Sequence, residues 1–210
     1  MNLKVWIKSK AADRVLSPLR KELIELITDD STLLEVGCGT GNLLFLSAQK
    51  ISSGHGVDID QGMIEFAESK RKENGLKHLS FECIDALKMT PRQFDIATST
   101  LCLHELPKQK ACDILKMMVD NSKIVLIADY TEAKSTFGKI SIEFDELISG
   151  HYCNYKNYRK SGEIPFYAEE VGAIVHQKIA SAIDGISIWR ISSNAITTID
   201  QLNPQPEADC

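Results

Sequence analysis

The sequence predicts an α/β chain built on a doubly wound, largely parallel sheet of seven strands. Three observations predict it. Short apolar runs alternate five times with helical patterns between residues 33 and 130. The first run ends in a glycine-rich turn, Gly37-Cys38-Gly39-Thr40-Gly41, that leads straight into a helical pattern. Near the end, two β-runs, 174–183 and 186–192, flank Asp184-Gly185, a strong signal for a C-terminal antiparallel hairpin.

Residues 12–28 carry a broad apolar face of Val15, Leu16, Leu19, Leu23, Ile24, Leu26 and Ile27. Pro18 interrupts that face, so the helix proper is expected to begin there with Ser17 as its cap. The first strand covers Leu33 to Val36. Glycines at 37, 39 and 41 take positive φ without penalty and let a ligand approach the backbone. The helix that follows, with Leu43, Leu44, Leu46, Ser47 and Ile51, offers free N–H groups at its start. The loop is therefore expected to bind a polar or carboxylate-bearing ligand at the strand's carboxyl end.

The second strand is His55 to Asp60, after the turn Ser52-Ser53-Gly54. Asp58 follows Gly41 by 17 positions, close to the spacing at which an acid binds ribose hydroxyls. A capping carboxylate for the helix near Gln61 is the alternative for Asp58 and the leading reading for Asp60. That helix ends at Asn74-Gly75, and Met63 lies one turn into it, where core packing is also a reading. The third strand, Leu79 to Ile84, ends in a second acid, Asp85, followed by Ala86. The fourth, Phe94 to Thr100, continues into Leu101-Cys102-Leu103-His104-Glu105. A helix from Lys108 to about Asp120 and the apolar strand Lys123–Tyr130 complete the alternation.

After Thr131 the rhythm changes. All five tyrosines lie between 130 and 167, and 136–162 reads as one or two helices. His151, Tyr155 and Tyr158 share one helical face and form a candidate substrate wall; a packing anchor is the alternative for the tyrosines. Pro165 reads as a turn before a short helix at 168–172. Residues 1–192 are expected to form one domain with a helical insert at about 131–167, and the polar stretch 193–210 a loosely held tail.

Composition narrows the function. Apolar residues are 43% and charged residues 25%, ordinary values for a globular chain. A net charge of −5 argues against nucleic acid as the main partner. Lys70-Arg71-Lys72 is the only basic triplet and reads as a solvated face. No run approaches a membrane span, and the apolar part of residues 1–8 is too short for a signal peptide. The six cysteines form no C-x-x-C pair, so no metal site is expected. Most read as small buried thiols, and a reducing cytoplasm is the expected compartment.

The segment Glu35-Val36-Gly37-Cys38-Gly39-Thr40-Gly41, with Asp58, Asp85, the strand 94–100 and the closing hairpin, resembles the class I S-adenosylmethionine (SAM) methyltransferases. Small-molecule enzymes of the ubiquinone and menaquinone biosynthesis type are the nearest resemblance, although no Tyr-Asp pair stands at the N-terminus to cover the cofactor. The resemblance implies a Rossmann-like fold and SAM bound by Glu35, Gly37, Cys38, Gly39, Gly41, Asp58, Ile59, Met63, Asp85, Ala86, Ser99, Thr100 and Leu101. It places the methyl beside His104, a candidate base, with His151 and Tyr155 facing it from the insert; a capping or packing role is the alternative for His104. A small-molecule acceptor, no nucleic acid and a monomer or homodimer are expected. Two other readings stay open: a SAM-binding module without activity, and a nicotinamide-dependent oxidoreductase, which Asn42 and the hairpin disfavour.

Overall fold

The computed structural model describes residues 15–136, 143 and 150–194. The expectations for 1–14, for most of 137–149 and for the tail 195–210 lie outside the described residues. In chain order the elements are α1 (Ser17–Leu26), β1 (Thr32–Val36), α2 (Asn42–Ser47), β2 (Ser53–Asp58), α3 (Gln61–Glu73), β3 (Leu79–Cys83), β4 (Phe94–Thr100), α4 (Lys108–Asp120), β5 (Ser122–Tyr130), α5 (Tyr152–Ser161), α6 (Glu163–Glu170), β6 (Ala173–Ala180) and β7 (Ile186–Ser193). Short 3-10 turns cover Ala86–Lys88 and Leu103–Glu105.

The sheet order is β3-β2-β1-β4-β5-β7-β6. Pairings from β3 across to β5 are parallel, and β7 runs antiparallel to both β5 and β6. This is the expected Rossmann-like sheet with its antiparallel end. Strand order reverses between β1 and β4, so the carboxyl ends of those strands open a crevice. The apolar strand β5 explains its own place. Val125, Leu126, Ile127 and Ala128 are fully buried between helices, each large side chain contributing roughly 1.5–3 kcal/mol. α4 buries Ala111, Cys112, Ile114, Leu115, Met118 and Val119, the face its period predicts.

Several details differ from the sequence reading. Ser17 is the first residue of α1, and Leu16 precedes it as cap without a side-chain bond. Pro18 then sits in the first turn, where its missing N–H costs nothing. α2 stops at Ser47, and Leu46 points outward, 53% exposed. Pro165 is likewise inside the first turn of α6 rather than in a loop. The β6–β7 connection spans 181–185, not two residues, and the register breaks between Val175 and Gln177. Asp184 serves another purpose. Its carboxylate accepts from the Lys134 and Ser135 amides, tying the segment after β5 to the hairpin. Cys38 and Cys112 are buried as expected, but Cys83 and Cys153 are exposed. Cys83 ends an edge strand, and Cys153 stands on the outward side of α5. Among the described residues no helix is long and apolar enough to cross a membrane, and no cluster of His, Cys, Asp and Glu is suited to a metal ion.

Candidate active site

The glycine turn closes as its sequence requires. Gly37, Gly39 and Gly41 all have positive φ, at 70°, 52° and 71°. A Cβ on Gly41 would overlap the Phe81 ring, whereas one on Gly39 meets no atom of the described residues within 4 Å. Crowding within the chain therefore requires glycine at 41, while at 39 the backbone conformation and the open space above it are what matter. Helix α2 is only six residues long. Its contribution as an anion site is correspondingly small, and side chains must supply more of the polarity.

They do so on one face of the sheet. Glu35 stands in register with Gly56 on β2 and with Thr98 on β4. Asp58 and Thr100 lie two residues further along those strands, so the pleat puts Glu35, Asp58 and Thr100 on the same side. Asp58 is braced at both oxygens. Oδ2 accepts from the Gly39 amide at 2.8 Å and Oδ1 from the Asp60 amide at 2.9 Å. Asp60, not Asp58, caps α3, accepting from Gly62 and Met63. Ile59 projects into open space beside them, 72% exposed, and Met63 is half-buried.

Glu35 is 4% exposed, and among the described residues its Oε2 has no hydrogen-bond partner. Burial pushes its carboxyl up to about 8; the Arg20 charge and a bond from the Leu44 amide oppose this, and the Asp58 charge adds to it. A buried acid with an orphaned oxygen is expensive unless a cationic group is meant to meet it. Thr100 Oγ1 is a second orphaned buried atom on that face. Leu101, just beyond it, is held at φ 49°, an unusual conformation for a residue with a branched side chain.

Asp85 is placed at the sheet edge as expected, but with a partner the sequence did not reveal. It bonds Lys110 Nζ from α4 at 2.9 Å and caps the turn at Ala86–Lys88 through the Leu87 amide. The Lys110 bond, with help from that amide, holds its carboxyl below the usual range. Ala86 beside it is buried.

His104 stands on the 3-10 turn after β4 and is 1% exposed. Its Nδ1 bonds the Asp129 carboxylate at the end of β5, and its backbone N–H donates to the other Asp129 oxygen at 3.3 Å. The Tyr130 amide donates to Asp129 as well, at 2.7 Å. Three donors thus fix a fully buried carboxylate, which in turn fixes the imidazole. Aromatic rings wall the pair. Tyr130 lies 4.6 Å from the His104 ring, Tyr158 6.2 Å and Tyr155 6.3 Å.

The insert residues divide. Tyr155 does pack on His104. Tyr158 is a packing anchor, its hydroxyl donating to the Tyr130 carbonyl at 2.7 Å. His151 lies just outside α5, half-exposed, with Nδ1 3.3 Å from a Glu105 carboxylate oxygen. A cavity of about 290 Å³ opens beside Tyr155, lined also by Thr131, Ala133, Lys156 and Arg159. In the sequence Asp129 is one residue of the apolar strand Lys123–Tyr130. A lone charge inside such a run was the available signal, since a buried carboxylate needs dedicated donors.

A family model described as a methyltransferase domain matches residues 27–178, well over half of the chain. The chain belongs to that methyltransferase family. The domain is of the SAM-dependent class, and the match runs from the end of α1 into β6. Among curated proteins, the aklanonic acid methyltransferase DauC of Streptomyces sp. (strain C5) is 35% identical over 101 residues, 43% of this chain and 44% of the relative. The 23S rRNA (uracil(1939)-C(5))-methyltransferase RlmD of Alcanivorax borkumensis is 28% identical over 119 residues, 55% of this chain and 26% of the relative. The methyltransferase chain thus spans less than half the length of these curated relatives. A SAM-dependent methyltransferase from Aquifex aeolicus shares the fold, with a TM-score of 0.61 at 14% identity over 90% of this chain and 96% of that one.

Proposed function

We propose that this methyltransferase domain transfers a methyl group from SAM to a small molecule whose reacting atom gives up a proton to His104. The buried His104–Asp129 pair carries the reading. With Nδ1–H donated to Asp129, the lone pair of the neutral ring is on Nε2, and Asp129 stabilises the cation formed when Nε2 takes the acceptor's proton. The proton leaves the acceptor as its bond to the methyl forms. When bound, the cofactor would supply a methyl already activated on a sulfonium and, with the methyl–sulfur bond broken, would leave as S-adenosylhomocysteine, so the chain's work is positioning and proton removal.

The cofactor residues fit their proposed tasks. Glu35 would meet the ammonium of the methionine part, which explains its orphaned oxygen. Asp58 would accept the ribose hydroxyls with lone pairs that its two backbone donors leave open. Ile59 and Met63 would cover the adenine, with Asp85 and Ala86 at its edge and Lys110 steadying Asp85. Asp58→Ala removes two charge-assisted bonds and the brace on Gly39. SAM affinity measured by calorimetry should fall roughly 10- to 150-fold; an unchanged affinity removes Asp58 from the ribose site.

By their names DauC acts on aklanonic acid and RlmD on 23S rRNA. The net charge of −5 and the enclosed, aromatic setting of His104 favour the small molecule. The test uses methyl-labelled SAM offered with a panel of phenols and carboxylic acids, and separately with total RNA. Label in the small-molecule fraction is expected; label in RNA alone overturns the proposal. SAM and S-adenosylhomocysteine should each raise the melting midpoint, by about 2.7 kcal/mol of stability at 100 times Kd, and NAD should not.

A further inference from the structure

The turn that carries His104 is weak in isolation. It spans three residues, Leu103–Glu105, closed by a bond from the Glu105 amide to the Cys102 carbonyl at 3.2 Å and one from Leu106 to Leu103. Leu101, two residues before it, already sits in the left-handed region. Such a turn does not fix a side chain by itself. Asp129 holds it from the sheet side. From the lid side, Asn154 of α5 donates its side-chain amide to the Glu105 carbonyl at 2.7 Å. One helical turn earlier, His151 sits 3.3 Å from the Glu105 carboxylate. The same helix lays Tyr155 against His104 and ties Tyr158 to Tyr130.

We propose that Asn154 is a positioning residue for His104, joining the docking of the lid helix to the placing of the base. The inference rests on the reading of His104 given above, but its geometry is independent of the acceptor's identity. His104 is 1% exposed beneath α5, so an acceptor reaches its ring only when that helix lifts. Lifting α5 also breaks the Asn154 bond and frees the turn. The base is then fully placed only when the lid is down, which couples acceptor enclosure to catalytic competence. Asn154 acts on the backbone of residue 105, so the Glu105 side chain is a separate arm of the same latch.

The test is Asn154→Asp in the full chain with S-adenosylhomocysteine bound. The change keeps the shape, removes the donor and sets a carboxylate against a carbonyl. The readout is carbethoxylation of individual histidines by diethyl pyrocarbonate, followed by peptide mass spectrometry, with His78 as the internal reference. His104 should react about tenfold faster than in the unsubstituted chain. S-adenosylhomocysteine affinity and the rate at His78 should be unchanged. Hydrogen exchange should speed up in residues 103–106 and 152–158 together. An unchanged rate at His104 overturns the proposal. So does loss of protection in α5 alone, which would mean that lid and turn move separately. Asn154→Ser, which keeps a shorter donor, guards against a folding artefact and should fall between the two. His104→Asn examines the base itself: if that variant keeps full turnover while Asn154→Asp still exposes residue 104, the base reading fails and the latch stands.

Discussion

His104→Asn should slow methyl transfer at least about 100-fold while leaving SAM affinity near its original value. A positioned general base contributes roughly 10²- to 10⁴-fold. Asparagine keeps a polar atom near Asp129, so the buried carboxylate is not stranded, but it cannot take a proton. The measurement is single-turnover transfer of labelled methyl to whichever small molecule accepts it, with calorimetry of SAM binding beside it. Unchanged turnover makes His104 a structural residue and leaves proximity as the whole of catalysis. Lost SAM binding moves His104 into the cofactor pocket.

Glu35→Gln should stabilise the ligand-free protein and weaken cofactor binding together. In the folded chain the Glu35 carboxyl titrates near 8, against 4.5 in the open chain, chiefly because burial disfavours its charge. The folded state therefore holds a proton that the unfolded state has lost between pH 4.5 and 8, and stability falls as pH rises through that window. A shift of that size amounts to about 5 kcal/mol at its fullest. Glutamine does not titrate, so urea unfolding of the variant should lose this slope and show a clear gain over the original chain at pH 8. SAM affinity should fall at the same time, because the cationic end of the cofactor loses its counter-charge. An identical pH slope in both proteins shows that Glu35 is solvated in solution.

Much of this was legible along the chain. The helix Lys108–Asp120 follows from an apolar face at period 3.6, and the glycine turn from three positions that need positive φ. The capping role of Asp60 is local and follows from residue type. What stayed hidden is what strand pairing creates. Asp129 and His104 lie 25 positions apart and meet because β4 and β5 are neighbours that end together. Lys110 reaches Asp85 only once α4 packs beneath the sheet edge. Asp184-Gly185 marked the antiparallel hairpin correctly but not the length of its loop, because an Asp-Gly pair also suits a longer loop whose acid has a distant task. The reading of most cysteines as buried thiols holds for Cys38 and Cys112 and not for Cys83 and Cys153, because residue type says more about average burial than about which side of an edge strand or a helix a side chain occupies.

The order β5-β7-β6 has a consequence for how the protein is made. Strand β5 is completed at Tyr130, yet the neighbour that covers its outer edge, β7, begins only at Ile186. A nascent chain leaving the ribosome therefore carries a strongly apolar strand with one row of amides and carbonyls unpaired while residues 131–185 are still being translated. A chain stalled before Ile186 leaves that edge open to pairing with other chains, and β7, which lies between β5 and β6, closes it.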